Sequence, residues 1–317
     1  MTDLSYNLSP ILSKKLSICD DFRKEILLTP LSPKLELEFR WKALINRVFH
    51  SMHISGSQLT KVEITKLITF DYGKDFTVSK KNDAENSVLK YKKAMDYISQ
   101  NWLVNKDTVL LKDVLMLYDI LIKGRLVGSS EPLYDLLSYI QAREEHPVIQ
   151  AGLVSIGVSK IQPFTEGNGR FSRLLSYLFL YKLGYDVRGL IGFETVWSED
   201  NEVYFGAIRT GVEASSVTIW LEYFAGSVAK YLEEVCERIK DLSPDGLGIS
   251  SSFWDLNERQ KVILGILDQP GVSITNKTVQ KRFKISQITA SRDLSKLAIL
   301  GLLFSHGKGR SVYYTKV

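Results

Sequence analysis

Residues 171–183, FSRLLSYLFLYKL, are apolar on nearly every face of a helix. A helix with no face to offer water must lie at the centre of a helical assembly, and the rest of the first 240 residues supplies the layers around it. Apolar residues recur at spacings of three and four through residues 35–49, 86–101, 109–124, 131–144, 147–160 and 217–240, with a further helix opening near Ser198. Thr60 and Glu63 stand as a capping box flanked by Leu59 and Ile64 as a hydrophobic staple, so a helix is expected to start after Thr60. Gly124 and Gly184 are natural stops. Residues 1–34, with Pro10, Pro30 and Pro33, read as a segment that wraps the surface. Residues 35–240 therefore form a nearly all-helical domain.

A second module follows. Residues 241–253, DLSPDGLGISSSF, combine Pro244 with glycines and a run of serines and read as a linker. Residues 254–317 hold three short helical stretches and two apolar stretches around a GKG turn, which reads as a β-hairpin. That order resembles a winged-helix domain. The fold class is thus mainly α: a helical domain followed by a winged helix-turn-helix domain with a short β-hairpin wing. The chain carries 41 Lys and Arg against 36 Asp and Glu, and its last 67 residues hold eleven of the former and four of the latter, so the whole positive excess lies there. This footprint points to DNA, with protein contact or a purely structural role as the alternatives. Residues 286–301 would form the recognition helix, exposing Gln287, Thr289, Ser291 and Arg292 near its start, with Leu294, Leu297 and Leu300 facing the core. The wing would aim Lys308 and Arg310 at phosphates.

Between the helical segments 147–160 and 171–183 runs KIQPFTEGNGRFSR. Gly167 and Gly169 let successive backbone N–H groups converge on an anion, and the helix that follows adds its orphan N–H groups and dipole. Arg170 and Arg173, three apart, project from one side of the first turn. A carboxylate at Glu166 beside bound phosphate is unfavourable unless a cation lies between them, which suits Mg²⁺. Asn168 can reach a phosphate oxygen or tie down the loop. Gly-Asn-Gly is also ordinary turn chemistry, so on local pattern alone a helix cap with a solvated arginine pair fits equally well.

The stretch QPFTEGNGRFSR resembles the signature of the Fic domain family, His-Pro-Phe-x-(Asp/Glu)-Gly-Asn-Gly-Arg-x-x-Arg, matching at every specified position except the first, and the resemblance extends over residues 38–240. Most members transfer AMP from ATP to a hydroxyl of a target protein; relatives transfer other phosphate-linked groups. The resemblance implies ATP and Mg²⁺ as cofactors, with Glu166 on the metal, Gly167, Asn168, Gly169 and Arg170 on the phosphates, Arg173 on the outermost phosphate, and Phe164 as the loop's anchor. It further implies Asn201 near the base or ribose, a hydroxyl-bearing target protein as partner, and a homodimer.

Three departures qualify that picture. The family's general base is replaced by Gln162, and an amide has no pKa near neutrality; loss of general-base catalysis typically costs about 10²–10⁴ in rate. The family's inhibitory motif, (Ser/Thr)-x-x-x-Glu-(Gly/Asn), appears as Ser51-Met52-His53-Ile54-Ser55-Gly56, with Ser55 at the glutamate position; a hydroxyl cannot neutralise Arg173, so self-inhibition is expected to be weak. The flap that aligns targets is reduced to residues 125–131. Of the four histidines, His50 and His53 flank the inhibitory-like motif, while His146 and His306 lie elsewhere.

The expected function is a nucleotide-binding, Fic-like protein with impaired or absent AMP transfer, acting as a binding or regulatory protein. The alternatives are an active adenylyltransferase or other phosphate-group transferase using a different base, and a DNA-binding regulator with a scaffold core. The N-terminus lacks a signal-peptide pattern, no apolar run is long enough for a membrane span, and Cys19 and Cys236 are too far apart in sequence for a disulfide scaffold, so a cytoplasmic, non-membrane protein is expected.

Overall fold

The computed structural model describes residues 4–71, 82–102, 108–246, 256–267, 272–299, 302–307 and 312–316. The chain divides into two compact units. The first comprises Met1–Leu27 and Arg40–Cys236, the second Leu28–Phe39 and Glu237–Val317.

The centre of the first unit is an antiparallel pair, α7 (Pro147–Ile161) and α8 (Asn168–Lys182). Every residue of α7 from Val148 to Val158 is buried, and in α8 so is every residue from Phe171 to Leu180. Serines line the seam without leaving polar groups unpaired. Ser155 and Ser172 Oγ lie 2.9 Å apart, and Ser176 Oγ donates to Ala151 O at 3.1 Å. Pro147 supplies a preset first-turn φ to α7, and His146 caps it by accepting from Val148 N.

Around this pair stand α4 (Asp83–Asn101), α5 (Leu111–Leu121), α6 (Glu131–Gln141), α9 (Glu194–Glu199) and α10 (Asn201–Glu213). The expected capping box opens α3 (Lys61–Asp71): Thr60 N donates to the Glu63 carboxylate at 2.8 Å and Glu63 N to Thr60 Oγ1 at 3.3 Å. Asn82 and Glu85 form a second such box at α4.

Two readings gain detail. The N-terminal stretch, read as a segment that wraps the surface, holds a helix the sequence did not reveal, because residues Pro10–Leu28 form α1. Leu12, Leu16, Cys19 and Ile26 make one buried stripe along it, and Lys15 Nζ and Cys19 Sγ donate to the carbonyls of Glu222 and Ala225 in α11 (Thr218–Gly246). Pro10 sits at its first position, where a proline starts a helix rather than breaking one. The segment read as a linker is also partly regular. Helix α11 runs through Pro244 to Gly246, and the remainder of 241–253 lies outside the described residues. Likewise the helix α2 (Pro33–Ile54) extends through residues 50–54.

The second unit is a winged-helix-type module. It contains α12 (Glu258–Ile266), β1 (Ile274–Thr275), α13 (Asn276–Phe283), α14 (Gln287–Ile299), β2 (Leu303–His306) and β3 (Tyr313–Lys316). The hairpin is antiparallel, with Leu303 opposite Lys316. A third strand, unforeseen in the sequence because it is two residues long, pairs Ile274 with Tyr314 and gives the order β1-β3-β2. Ile263, Ile274, Val279, Leu294, Leu297 and Leu303 form the core. Leu300 and the wing residues Lys308 and Arg310 lie outside the described residues.

Candidate nucleotide site at the start of α8

The loop between α7 and α8 is held from below by aromatic rings. Phe164, 3% exposed, stacks on Tyr118 with ring centroids 3.4 Å apart and meets Phe171 edge-on at 5.0 Å. The Tyr118 hydroxyl donates to the Glu166 carbonyl at 3.0 Å. Residues 125–127 run antiparallel beside the loop: Leu126 bridges Phe164, Val127 N donates to Pro163 O at 2.8 Å, and Thr165 N to Arg125 O at 3.0 Å. Residues 125–127 thus brace the loop itself. Neither Tyr118 nor this brace is marked by a motif in the sequence.

Two backbone positions set the turn. Gln162 ends α7 in the left-handed region at φ 47°, and Gly167 precedes α8 at φ 70°. A Cβ at Gly167 would come 2.5 Å from Ile122 Cδ1, so any other residue would strain the backbone and displace that side chain. Asn168 ties the loop, as one of its two expected roles foresaw. Its Oδ1 accepts from Phe164 N (3.1 Å) and its Nδ2 donates to Phe164 O (2.7 Å).

Glu166 and Gly169 are exposed and Arg170 half-buried. Glu166 and Arg170 line a cavity of about 1080 Å³ whose other wall comes from α4 and the end of α5, including Asp83, Lys90, Lys93, Asp119 and Lys123. Burial, with Arg173 close by, depresses the Arg170 pKa from its ordinary value. The first-turn N–H groups of α8 have no intrahelical acceptor and the helix dipole adds positive potential there. Among the described residues no group of three or more His, Cys, Asp and Glu gathers to hold a metal. A Mg²⁺ ion at Glu166 would therefore draw its remaining ligands from phosphate and water, which is how that ion is usually held.

Arg173 departs from expectation. It is 2% exposed and clasped by the end of α2. Its Nε donates to Ser51 Oγ (2.9 Å), and its Nη2 to Ser51 O (2.8 Å) and Ser55 Oγ (2.6 Å). The Ser55 hydroxyl donates in turn to Ser51 O at 3.0 Å, and Gly56 turns the chain away at φ 87°. Serine at position 55 holds Arg173 through its hydroxyl, a contact the sequence did not reveal. A hydroxyl accepts from the guanidinium without neutralising it, and the helix C-terminus adds partial negative charge. Glu194 is fully buried, its pKa raised by burial and pulled back by Arg47 and Arg173. Arg47 lies 3.8 Å from it, stacks over the Tyr177 ring and donates to Ile191 O. Both Glu194 oxygens lack a hydrogen-bond partner, as do Tyr91 Oη, Asn46 Oδ1 and Asn201 Oδ1.

Gln162 is exposed, and its amide donates to Ser159 O at 3.3 Å. Asn201 is the first residue of α10, whose cap is Asp200. Among the histidines, His50 bonds Ser198 through Nδ1, His53 stacks on Phe49, His146 contacts Asp20 and Tyr185, and His306 bonds Thr315. In the second unit Gln287, Ser291 and Arg292 are exposed at the start of α14, while Thr289 is half-buried with its hydroxyl 2.9 Å from that of Ser286. Among the described residues no helix is long and apolar enough to cross a membrane.

Comparison with known proteins agrees with this architecture. Residues 128–180 match the model of the Fic/DOC family. The chain is similar to the protein adenylyltransferase Fic of Drosophila virilis, 28% identical over 174 residues, covering 45% of this chain and 34% of that protein. It is similar to the protein of the same name from Aedes aegypti, 25% identical over 169 residues, at 45% and 33%. The chain spans about a third of the length of these relatives. Among solved structures, a Fic family protein from Desulfovibrio desulfuricans G20 superposes with a TM-score of 0.61 at 16% identity, over 99% of this chain and 98% of that one. Fic-1 from C. elegans superposes with a TM-score of 0.59 at 17% identity, over 73% of each.

Proposed function

We propose that the chain, which has the Fic fold and matches the Fic/DOC family model over residues 128–180, holds ATP with Mg²⁺ at the start of α8 while transferring AMP poorly or not at all, serving as a nucleotide-responsive binding or regulatory protein. The observation that carries this reading is Gln162: where a proton acceptor would be needed stands an exposed amide whose N–H₂ is turned to Ser159 O. The retained parts support nucleotide binding. Gly167 lets the loop turn, the α8 N-terminus offers N–H groups, Arg170 supplies positive charge at the cavity, and Glu166 supplies a carboxylate for the metal. Electrostatic stabilisation of a transferring phosphoryl group is independent of a base and would persist; proton removal would not. Asn201, with a buried amide oxygen that lacks a partner, is the residue we assign to the nucleoside.

Calorimetric titration with ATP and Mg²⁺ tests the reading. Binding that disappears in Arg170→Ala and loses its Mg²⁺ dependence in Glu166→Ala is expected. Absence of binding at millimolar nucleotide would leave the helical domain a scaffold. Vigorous labelling of proteins by the unaltered chain would instead make it a transferase with another base.

A second reading applies to the C-terminal unit, which we assign to DNA contact through α14. Gln287, Ser291 and Arg292 are exposed there, whereas Asp293 is 3% exposed and turned inward to Arg259 and Gln260.

A further inference from the structure

We propose that the outward face of α13 is a clamp for the phosphate backbone of duplex DNA, with Lys277, Lys281 and Arg282 as its cations. The inference rests on the assignment of the C-terminal unit to DNA and adds a surface to it. In α13 the one fully buried residue is Val279, with Phe283 packed partly against the same core. Lys277 and Lys281 are four apart, as are Thr278 and Arg282, so these four side chains form two adjacent rows on the side away from that core. With Thr275 they line a shallow surface depression of about 590 Å³. The two threonine hydroxyls lie 2.8 Å apart at the helix start, where Thr275 caps α13.

The charge of this surface is of one sign. Between residues 272 and 299 the sequence contains a single carboxylate, Asp293. It is buried and bound by Arg259 Nε at 2.5 Å and Gln260 Nε2 at 2.8 Å, so it does not offset the α13 cations. The clamp is also held in register with α14. Asn276 Nδ2 donates to Ser291 Oγ at 2.8 Å and to Gln287 O at 3.2 Å, pinning the starts of the two helices together. A fixed row of cations beside a helix that exposes Gln287, Arg292 and the apolar Ile288 (65% exposed) suits a duplex. Phosphates would take the first set, and base edges, including a thymine methyl, the second. An anionic lipid surface would engage the lysines but gives no use for the pinned, hydrogen-bonding start of α14.

The test is fluorescence anisotropy of the full chain with a labelled duplex of mixed sequence over a series of salt concentrations. The triple variant Lys277→Gln, Lys281→Gln, Arg282→Gln is expected to flatten the slope of log affinity against log salt by roughly 2 to 3, since each phosphate contact contributes about 0.9. The variant's helical circular dichroism should match that of the parent, and Lys277→Arg with Lys281→Arg should keep the parental slope. A duplex bound with an unchanged slope by the triple variant overturns the clamp and leaves the α14 assignment standing. No binding of the duplex by the parent chain overturns both. Tighter binding of phosphatidylserine vesicles than of duplex would also overturn the clamp, assigning the surface to a membrane.

Discussion

Asn168 closes on the backbone of Phe164 with both ends of its amide, accepting from Phe164 N at 3.1 Å and donating to Phe164 O at 2.7 Å. The ring thus formed spans the whole turn that carries Glu166 and Gly167, while the Phe164 side chain is locked between Tyr118 and Phe171. Asn168→Ala removes both bonds and leaves the two Phe164 groups to water or to nothing. The expected loss is about 1–3 kcal/mol of stability in urea titration. Asn168→Asp should fare no better despite its shape, because a carboxylate cannot donate to Phe164 O and would face it with negative charge.

Gln162 occupies the left-handed region, a conformation that histidine adopts more readily than most residues. Gln162→His should therefore fit without remodelling the turn. With a titratable imidazole in place, label from ATP on protein hydroxyls is expected to rise roughly 10²-fold or more, and to vanish again when Glu166→Ala is added. If nucleotide binds this variant and no label appears, the missing step is target alignment, for which residues 125–127 offer little free backbone because Arg125 O and Val127 N are engaged with the loop.

The two serines that clasp Arg173 should respond differently to the same change. Ser51 is fully buried and takes the guanidinium through its hydroxyl and its carbonyl. Ser51→Ala leaves Arg173 Nε without an acceptor in a dry place, and a loss of about 1–3 kcal/mol is expected. Ser55 is exposed, so in Ser55→Ala water can replace the hydroxyl at Nη2, and the loss should stay within about 1 kcal/mol. Because Ser55→Ala loosens one arm of the clasp, ATP affinity should increase or stay level. Denaturant titration and calorimetry separate the two effects.

Glu194 is the buried carboxylate beside Arg47. Glu194→Gln removes the countercharge while the Arg47 guanidinium stays desolvated. Breaking such a buried arrangement by one partner costs about 3–5 kcal/mol, and the variant's urea midpoint should fall accordingly. Replacing an exposed pair, Lys230 with Glu199, should change stability by no more than about 1 kcal/mol and serves as the control.

The sequence exposes those parts of this molecule that depend on neighbours along the chain. Helical periodicity located α3 to α8, the Thr60–Glu63 pair marked the start of α3, and the glycines and arginines of one loop marked the candidate site. What it hid depends on residues far apart. The Arg173 clasp joins positions 122 apart in sequence, the Arg47–Glu194 pair likewise joins residues distant along the chain, and the bridge from Leu126 to Phe164 is too short to leave an alternating pattern. Proline misled twice for a local reason. At Pro10 it occupies a first-turn position that needs no N–H, and at Pro244 the helix continues past it.

His50 makes the acid response of the fold specific. Burial, with Lys61 and His53 adding to it, pushes its imidazole down to about 4, and the neutral ring bonds Ser198 through Nδ1. In the unfolded chain the same ring titrates near the ordinary value of about 6.5. The folded state therefore binds fewer protons than the unfolded state between those two values, and stability must fall as pH drops through that window. Above pH 6.5 the ring is neutral in both states and its contribution is complete; below about 4 it is charged in both and the contribution is gone. The parent protein should show a Tm that declines from pH 6.5 towards 4, and His50→Asn, which keeps a polar group but does not titrate, should show a shallower decline over the same range. Parallel Tm–pH curves for the two proteins would mean that His50 is charged within the fold, and that its bond to Ser198 is made by the imidazolium.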